Sequence, residues 1–300
     1  MTHFADRLSA AVLACGAPAC VGLDPHLDRL PLPLVESALK RTGRARRSAM
    51  AQAAAEFCIG VLDVVARKAP AVKPQVAFFE QLGAPGVEAL EHVVAHAKSL
   101  GLIVILDAKR GDIGSTAKAY VTATLSDDGP MGADAVTLSP YLGLESLQPF
   151  VEAISQGKGL FVLVRTSNPG AQAWQLGSDP IAGQVADWIR ETNAGQLGDT
   201  GMGPVGAVIG ATLPLEAPRW RRRMPNAWFL VPGYGAQGAS ATDCLAHCRD
   251  DRSGALISSS RGVLYPRTGR AGSDWKRGIN DRLDEFVCDL SSTFAPSVLR

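Results

Sequence analysis

Eight short apolar runs recur along the chain, at residues 19–23, 71–76, 102–106, 133–138, 160–164, 205–209, 228–231 and 255–258. Runs of about four to eight such residues read as buried strands. The stretches between them carry the spacing of amphipathic helices. Val87, Leu90, Val93, Val94 and Ala97 share one face, Leu144, Leu147, Phe150, Val151 and Ile154 share another, and Ile279, Leu283, Phe286, Val287 and Leu290 form a closing helix. Strand–helix alternation implies parallel strands joined by crossovers. Eight such units with no dividing linker predict an α/β fold, a closed (β/α)8 TIM barrel that forms a single domain over residues 1–300. The first β–α connection, about 26–67, is too long for one helix. There, Leu30-Pro31-Leu32-Pro33 and the basic cluster Arg41, Arg44, Arg46 and Arg47 predict an extra surface element with a solvated basic face. Gly195 to Gly203 reads as an exposed loop.

Lys and Arg number 30 against 29 Asp and Glu, a formal net charge of +1, which gives no electrostatic case for nucleic acid or an anionic membrane. No uninterrupted apolar stretch approaches the ~18 residues of a bilayer span. The N-terminal Met1-Thr2-His3-Phe4-Ala5-Asp6-Arg7 lacks the pattern of a signal peptide, so a cytoplasmic protein is expected. The six cysteines are scattered and read as reduced, packed thiols. Cys244, His247 and Cys248 have no second ligand pair at zinc-site spacing, so no metal is expected.

The third run ends in Leu106-Asp107-Ala108-Lys109-Arg110-Gly111-Asp112. Side chains two apart on a strand share a face, so Asp107 and Lys109 should project together from the strand end, with Asp112 on the loop beyond. Charges there are costly to desolvate without a partner or a task. An internal salt bridge is the plainer reading; an acid, base and ammonium on a rigid support is the sharper one. In a barrel of this kind chemistry sits where strands run into their following loops. Other strand ends also carry polar groups: Asp24, Lys73 with Gln75, Thr137 with Ser139, Arg165-Thr166-Ser167-Asn168, Thr212, Gly233-Tyr234-Gly235-Ala236-Gln237-Gly238, and Ser258-Ser259-Ser260-Arg261. Phosphate often binds at the loops after strands seven and eight. The glycines there, Gly235 among them, permit close backbone approach, and Arg261 offers a planar fork of donors. Gly233-x-Gly235-x-x-Gly238 also spells a dinucleotide fingerprint. It follows a late strand and no acid stands about 20 residues on, so that reading is rejected.

Together these residues resemble the orotidine 5′-phosphate decarboxylases. The signature D-x-K-x-x-D-I-x-x-T is met by Asp107, Lys109, Asp112, Ile113 and Thr116. The segments around Lys73, Thr166-Ser167, Gln237 and Arg261 resemble the family's longer bacterial branch, and the likeness runs from Asp24 to Arg261. The third-strand motif is shared with sister decarboxylases and synthases that act on sugar phosphates. The resemblance implies decarboxylation of orotidine 5′-phosphate to UMP without a cofactor. Lys109 would give a proton to C6, Asp107 would lie beside the substrate carboxylate, Lys73 between Asp107 and the ribose, and Asp24 on a ribose hydroxyl. Asp112 and Thr116 would reach into a neighbouring subunit's site in a homodimer. Thr166 or Ser167 would meet the pyrimidine edge, and Gln237 and Arg261, with Gly235 and Ser260 in the same loops, would hold the phosphate. Several shorter members have Gly where this chain has Ser260.

The chemistry is consistent with those roles. Loss of CO2 at C6 leaves an electron pair outside the ring's π system, where fixed positive charge is what can help. Alternating Lys73, Asp107, Lys109 and Asp112 would keep both lysines protonated. Three alternatives stand beside this reading: a Mg2+-dependent sugar-phosphate decarboxylase or synthase, a Schiff-base aldolase, which the flanking carboxylates disfavour, and a non-catalytic phosphate-binding barrel.

Overall fold

Alternation of side chains along eight short parallel strands sorts the chain into two apolar layers, one inside a closed barrel and one between barrel and helices. A computed structural model describes residues 2–42, 46–177, 180–265 and 274–294. The strands are β1 (Ala19–Leu23), β2 (Ala71–Pro74), β3 (Ile103–Arg110), β4 (Ala135–Leu138), β5 (Gly159–Arg165), β6 (Val205–Ile209), β7 (Phe229–Pro232) and β8 (Ala255–Ser259), each pairing in parallel with the next. Register Ala19↔Ile257 and Cys20↔Ser258 closes β8 onto β1. The predicted (β/α)8 barrel is therefore the fold.

Helix α1 (Phe4–Cys15) precedes β1 and plugs the barrel floor. Its Phe4, Ala5, Leu8 and Val12 pack against inward-facing Cys20, Ala71, Ile103, Ile105, Ala135, Phe161, Trp228 and Leu256. The connection after β1 holds two helices, α2 (Leu32–Thr42) and α3 (Arg46–Val65). Arg41 is half exposed and pairs with Glu56 at 2.6 Å; Arg46 and Arg47 are exposed, and Arg44 lies outside the described residues. By length and mean hydropathy (1.4) α3 qualifies as a membrane span despite its interrupting charges. It is instead packed on the barrel, with 61% of that window buried.

The remaining helices are α4 (Ala77–Glu80), α5 (Ala84–Ser99), α6 (Gly114–Thr124), α7 (Gln148–Glu152), α8 (Ala171–Gln175), α9 (Ile181–Ala194), α10 (Ala217–Arg223), α11 (Ala241–Leu245), α12 (Arg261–Leu264) and α13 (Trp275–Phe294). The predicted helical face over 144–154 is not one helix. Leu144–Leu147 and Ala153–Gln156 are 3-10 turns flanking α7. Pro149 is tolerated only in a helix's first turn, and Gly157 in the left-handed region ends the segment. The 195–203 loop is less exposed than expected: Met202 and Gly203 are buried, and the amides of Asp199 and Thr200 donate to Asp6 at 3.0 Å. Of the cysteines, Cys20, Cys58 and Cys244 are buried; Cys15 and Cys248 are half-buried and Cys288 is exposed, so not all six are packed.

Candidate active site

The inward parity that places Ile103 and Ile105 in the barrel interior continues to Asp107 and Lys109. The same parity carries Ala71 to Lys73, and Ala135 to Thr137. The strand's last turn of register is irregular: Leu106 pairs with Val136, but Arg110 pairs with Leu138, so β3 spends two extra residues around Asp107–Lys109. Such bulges re-aim side chains. Lys109 takes φ +48°, a left-handed conformation rare outside glycine. Its N–H donates to Thr137 Oγ1 at 3.0 Å. β5 bulges too, between Leu163 and Arg165, immediately before Thr166 and Ser167.

The buried Asp107 carboxylate is the hub. Lys73 Nζ donates to Oδ2 at 2.5 Å and Lys109 Nζ to Oδ1 at 2.6 Å. Gln75 Nε2 donates to Oδ2 at 3.0 Å and Thr137 Oγ1 to Oδ1 at 2.9 Å. Burial by itself would raise the Asp107 carboxyl, but the charges of Lys73 and Lys109 and their hydrogen bonds outweigh it and hold it well below the usual carboxylate range. Burial likewise opposes the Lys73 ammonium, and the charges of Asp107 and Asp24 overcome it, raising Lys73 above the ordinary lysine range. The side chain of Lys73 is 9% exposed and that of Lys109 46%, so Lys109 is the ammonium open to an incoming molecule.

Lys73, Asp107, Lys109 and Thr137 line a cavity of about 400 Å3 with Thr166, Ser167, Asn168 and Gln175, over an apolar side of Leu163, Val208, Leu230 and Pro232. An apolar wall beside a charged edge suits a flat heterocycle carrying an anionic substituent. Larger grooves lie on the outer helices, around Arg221 and Arg249 and between α3 and α5, away from the strand ends. Asp24 follows β1, and its Oδ1 is buried with no hydrogen-bond partner among the described residues, an acceptor suited to a ligand hydroxyl. Its carbonyl accepts from Tyr265 Oη at 2.7 Å, and the same hydroxyl accepts the His26 N–H at 2.8 Å.

The loop after β7 brings Gln237 to the cavity mouth, where Oε1 accepts from Ser167 Oγ at 2.9 Å. Gly233, Gly235 and Gly238 all have positive φ. The Gly235 N–H is spent on the Ala239 carbonyl at 2.9 Å, so Gly235 shapes the loop. Arg261 opens α12, exposed; its carbonyl accepts the Tyr265 N–H at 3.3 Å, and its guanidinium makes no hydrogen bond or ion pair among the described residues. Ser260 sits against Gly22 of β1, where a Cβ would collide with its hydroxyl. Asp112 and Thr116 are not drawn into this cavity. Asp112 accepts the N–H of Ile113 at 2.8 Å on the loop after β3, and Thr116 is exposed on α6.

Thr137 and Gln75 are partners of Asp107 that the motif reading did not assign a role, though each was visible as a polar residue ending an apolar run. Gln175 and the carboxylate of Glu216, which pairs with Arg165, had no local signal at all.

The family profile described as "Orotidine 5′-phosphate decarboxylase / HUMPS family" matches residues 18–266. An orotidine 5′-phosphate decarboxylase of Rhodopirellula baltica is 47% identical over 273 residues, covering 88% of this chain and 89% of the relative. One from Deinococcus radiodurans is 42% identical, with 88% and 90% covered. The solved OMP decarboxylase of Leishmania donovani superposes with a TM-score of 0.72 at 34% identity, covering 97% of this chain and 99% of that one. This chain belongs to the orotidine 5′-phosphate decarboxylase / HUMPS family.

Proposed function

We propose that the chain decarboxylates orotidine 5′-phosphate to UMP and CO2, the last step of de novo UMP synthesis, with Lys109 as the proton donor. The observation that carries this reading is one buried carboxylate, Asp107, gripped by two ammonium groups at a cavity mouth. When the bond between C6 and the carboxylate breaks, CO2 leaves neutral and the electron pair stays on C6. A fixed ammonium at that carbon stabilises the developing charge and supplies the proton. The Lys109 amine then regains a proton from solvent. Lys73 and Thr137 keep Asp107 in place, and Asp107 in turn fixes the Lys109 Nζ. Asp24 takes a ribose hydroxyl, and Ser167 meets the pyrimidine edge beside Gln237. Thr166 supports that loop. Gln237 and Arg261 hold the phosphate, whose binding energy draws the glycine-rich loop over the site. Ser260 and Gly235 set the geometry of the two phosphate loops.

Asp112 and Thr116 act in a homodimer, each reaching the partner's site. Supporting this are their absence from the lining of their own cavity and the exposure of Ile113 (59%), Tyr141 (71%) and Trp174 (64%) on the same rim. A soluble, cytoplasmic enzyme of this size fits the reading. The test is loss of orotidylate absorbance with matching release of UMP, followed with and without a chelator. Turnover indifferent to the chelator is expected. Loss of activity on chelation would favour the Mg2+-dependent sugar-phosphate chemistry, and binding of UMP without turnover would favour a phosphate-binding barrel.

A further inference from the structure

Thr166 and Ser167 sit side by side at the cavity, yet their polar groups are used very differently. Every polar atom of Thr166 is engaged within the protein. Its N–H donates to Gln175 Oε1 at 2.9 Å, and its Oγ1 accepts from Gln175 Nε2 at 2.9 Å while donating to Asn168 Oδ1 at 2.6 Å. Its carbonyl accepts from Arg165 Nη1 at 3.1 Å. Arg165 is itself fixed, with Nε and Nη2 each 3.1 Å from the carboxylate of Glu216. The Ser167 hydroxyl instead turns across the mouth to Gln237.

Gln175 thus reaches back from the last turn of α8 and closes a two-point amide clamp on the residue that precedes Ser167. The clamp spans nine residues of loop and short helix, from Thr166 to Gln175. The Ala171 N–H bonds the Asn168 carbonyl at 3.0 Å, and Trp174 meets Tyr141 edge-on with ring centroids 6.0 Å apart. Ala171 is buried, whereas Trp174 and Tyr141 are exposed. An amide also suits the place electrically: Gln175 lines the same cavity as Asp107 and adds no charge facing an anionic ligand.

We propose that Gln175 is a positioning residue for base recognition: by locking Thr166 it sets the Ser167 hydroxyl toward the edge of a pyrimidinedione ring, where carbonyls flank an N–H. The proposal rests on the reading that Ser167 meets the base. Its effect falls chiefly on the base half of the ligand, because Asp24 and Arg261 hold ribose and phosphate from other strands; Gln237, which accepts from the Ser167 hydroxyl, links the two halves.

Calorimetric titration of UMP and of ribose 5-phosphate into the full chain separates these halves. In Gln175→Ala and in the volume-conserving Gln175→Met, the Kd for UMP should rise about tenfold, the size of effect one misplaced hydrogen bond produces, while that for ribose 5-phosphate stays within about twofold. Thermal unfolding of both variants checks that they are folded. UMP affinity at the wild-type level in folded Gln175 variants, or equal weakening of both ligands, overturns the proposal. Ser167→Ala distinguishes the two levels. If it loses UMP affinity and the Gln175 variants do not, only the positioning role fails; if it retains UMP affinity, the reading of Ser167 fails and the proposal with it.

Discussion

At Asp107 two ammonium groups, an amide and a hydroxyl converge on one carboxylate that is 6% exposed. Removing that charge leaves Lys73 buried without its counter-ion. Asp107→Asn should therefore destabilise the protein by about 3 kcal/mol at neutral pH, the lower end for a broken buried pair because solvent screens the Lys109 side. The pH dependence follows from the directions of the two shifts. Asp107 titrates lower in the folded than in the unfolded chain, so its contribution is present above about pH 4 and fades as pH falls toward the folded value. Lys73 titrates higher when folded, so its contribution is present below about pH 10 and fades as pH rises further. The Tm gap between wild type and Asp107→Asn, followed by calorimetry, should be wide from about pH 5 to 9 and narrow in acid. A gap independent of pH would mean that packing and not charge is lost. This cluster was largely legible in the sequence, because period-two spacing put Asp107 with Lys109 on one face, and Lys73 and Gln75 stood out as polar residues ending an apolar run. The positive φ of Lys109 was not, since nothing in its side chain asks for it.

Strand ends do the placing, and there the sequence was less informative. The apolar runs gave all eight strands, but not the bulges in β3 and β5 that turn Asp107–Lys109 and Thr166–Ser167 toward the cavity. A bulge depends on the partner strand's register, which a single run does not encode. The 144–154 face misled for a different reason: an apolar period persists through 3-10 turns, and Pro149 decides where the helix can start. The junction of β1 with the end of β8 offers a test at this scale. Gly22 has no Cβ, and Ser260 fills the space one would take, with Asp24 Oδ1 3.4 Å from the same point. Gly22→Ala should push α12 and Arg261 outward and raise the KM for orotidine 5′-phosphate by about tenfold. Adding Ser260→Gly should restore most of it. Steady-state kinetics of the double variant check the contact, and no rescue would show that Ser260 is not what the new methyl meets.

Across the molecule, α1 seals the barrel floor and the helices seal its flanks, so the open end with its charged array is where a ligand can enter. The homodimer reading makes a prediction that no single chain can satisfy. Lys109→Ala and Asp112→Ala should each be nearly inactive alone. Mixed and allowed to exchange, they should recover up to about a quarter of wild-type activity, because half the dimers are hybrids with one intact site in two. No recovery after proven exchange would mean that Asp112 serves its own chain's site.

The central claim is that one lysine ammonium, aligned by a buried carboxylate, replaces CO2 with a proton at C6. The most direct measurement is the turnover number of Lys109→Ala on orotidine 5′-phosphate, taken with its Tm and its affinity for UMP. A fall in kcat of at least about 10^3-fold is expected, in a protein that stays folded and still binds UMP. A folded Lys109→Ala enzyme turning over at near the wild-type rate would contradict it.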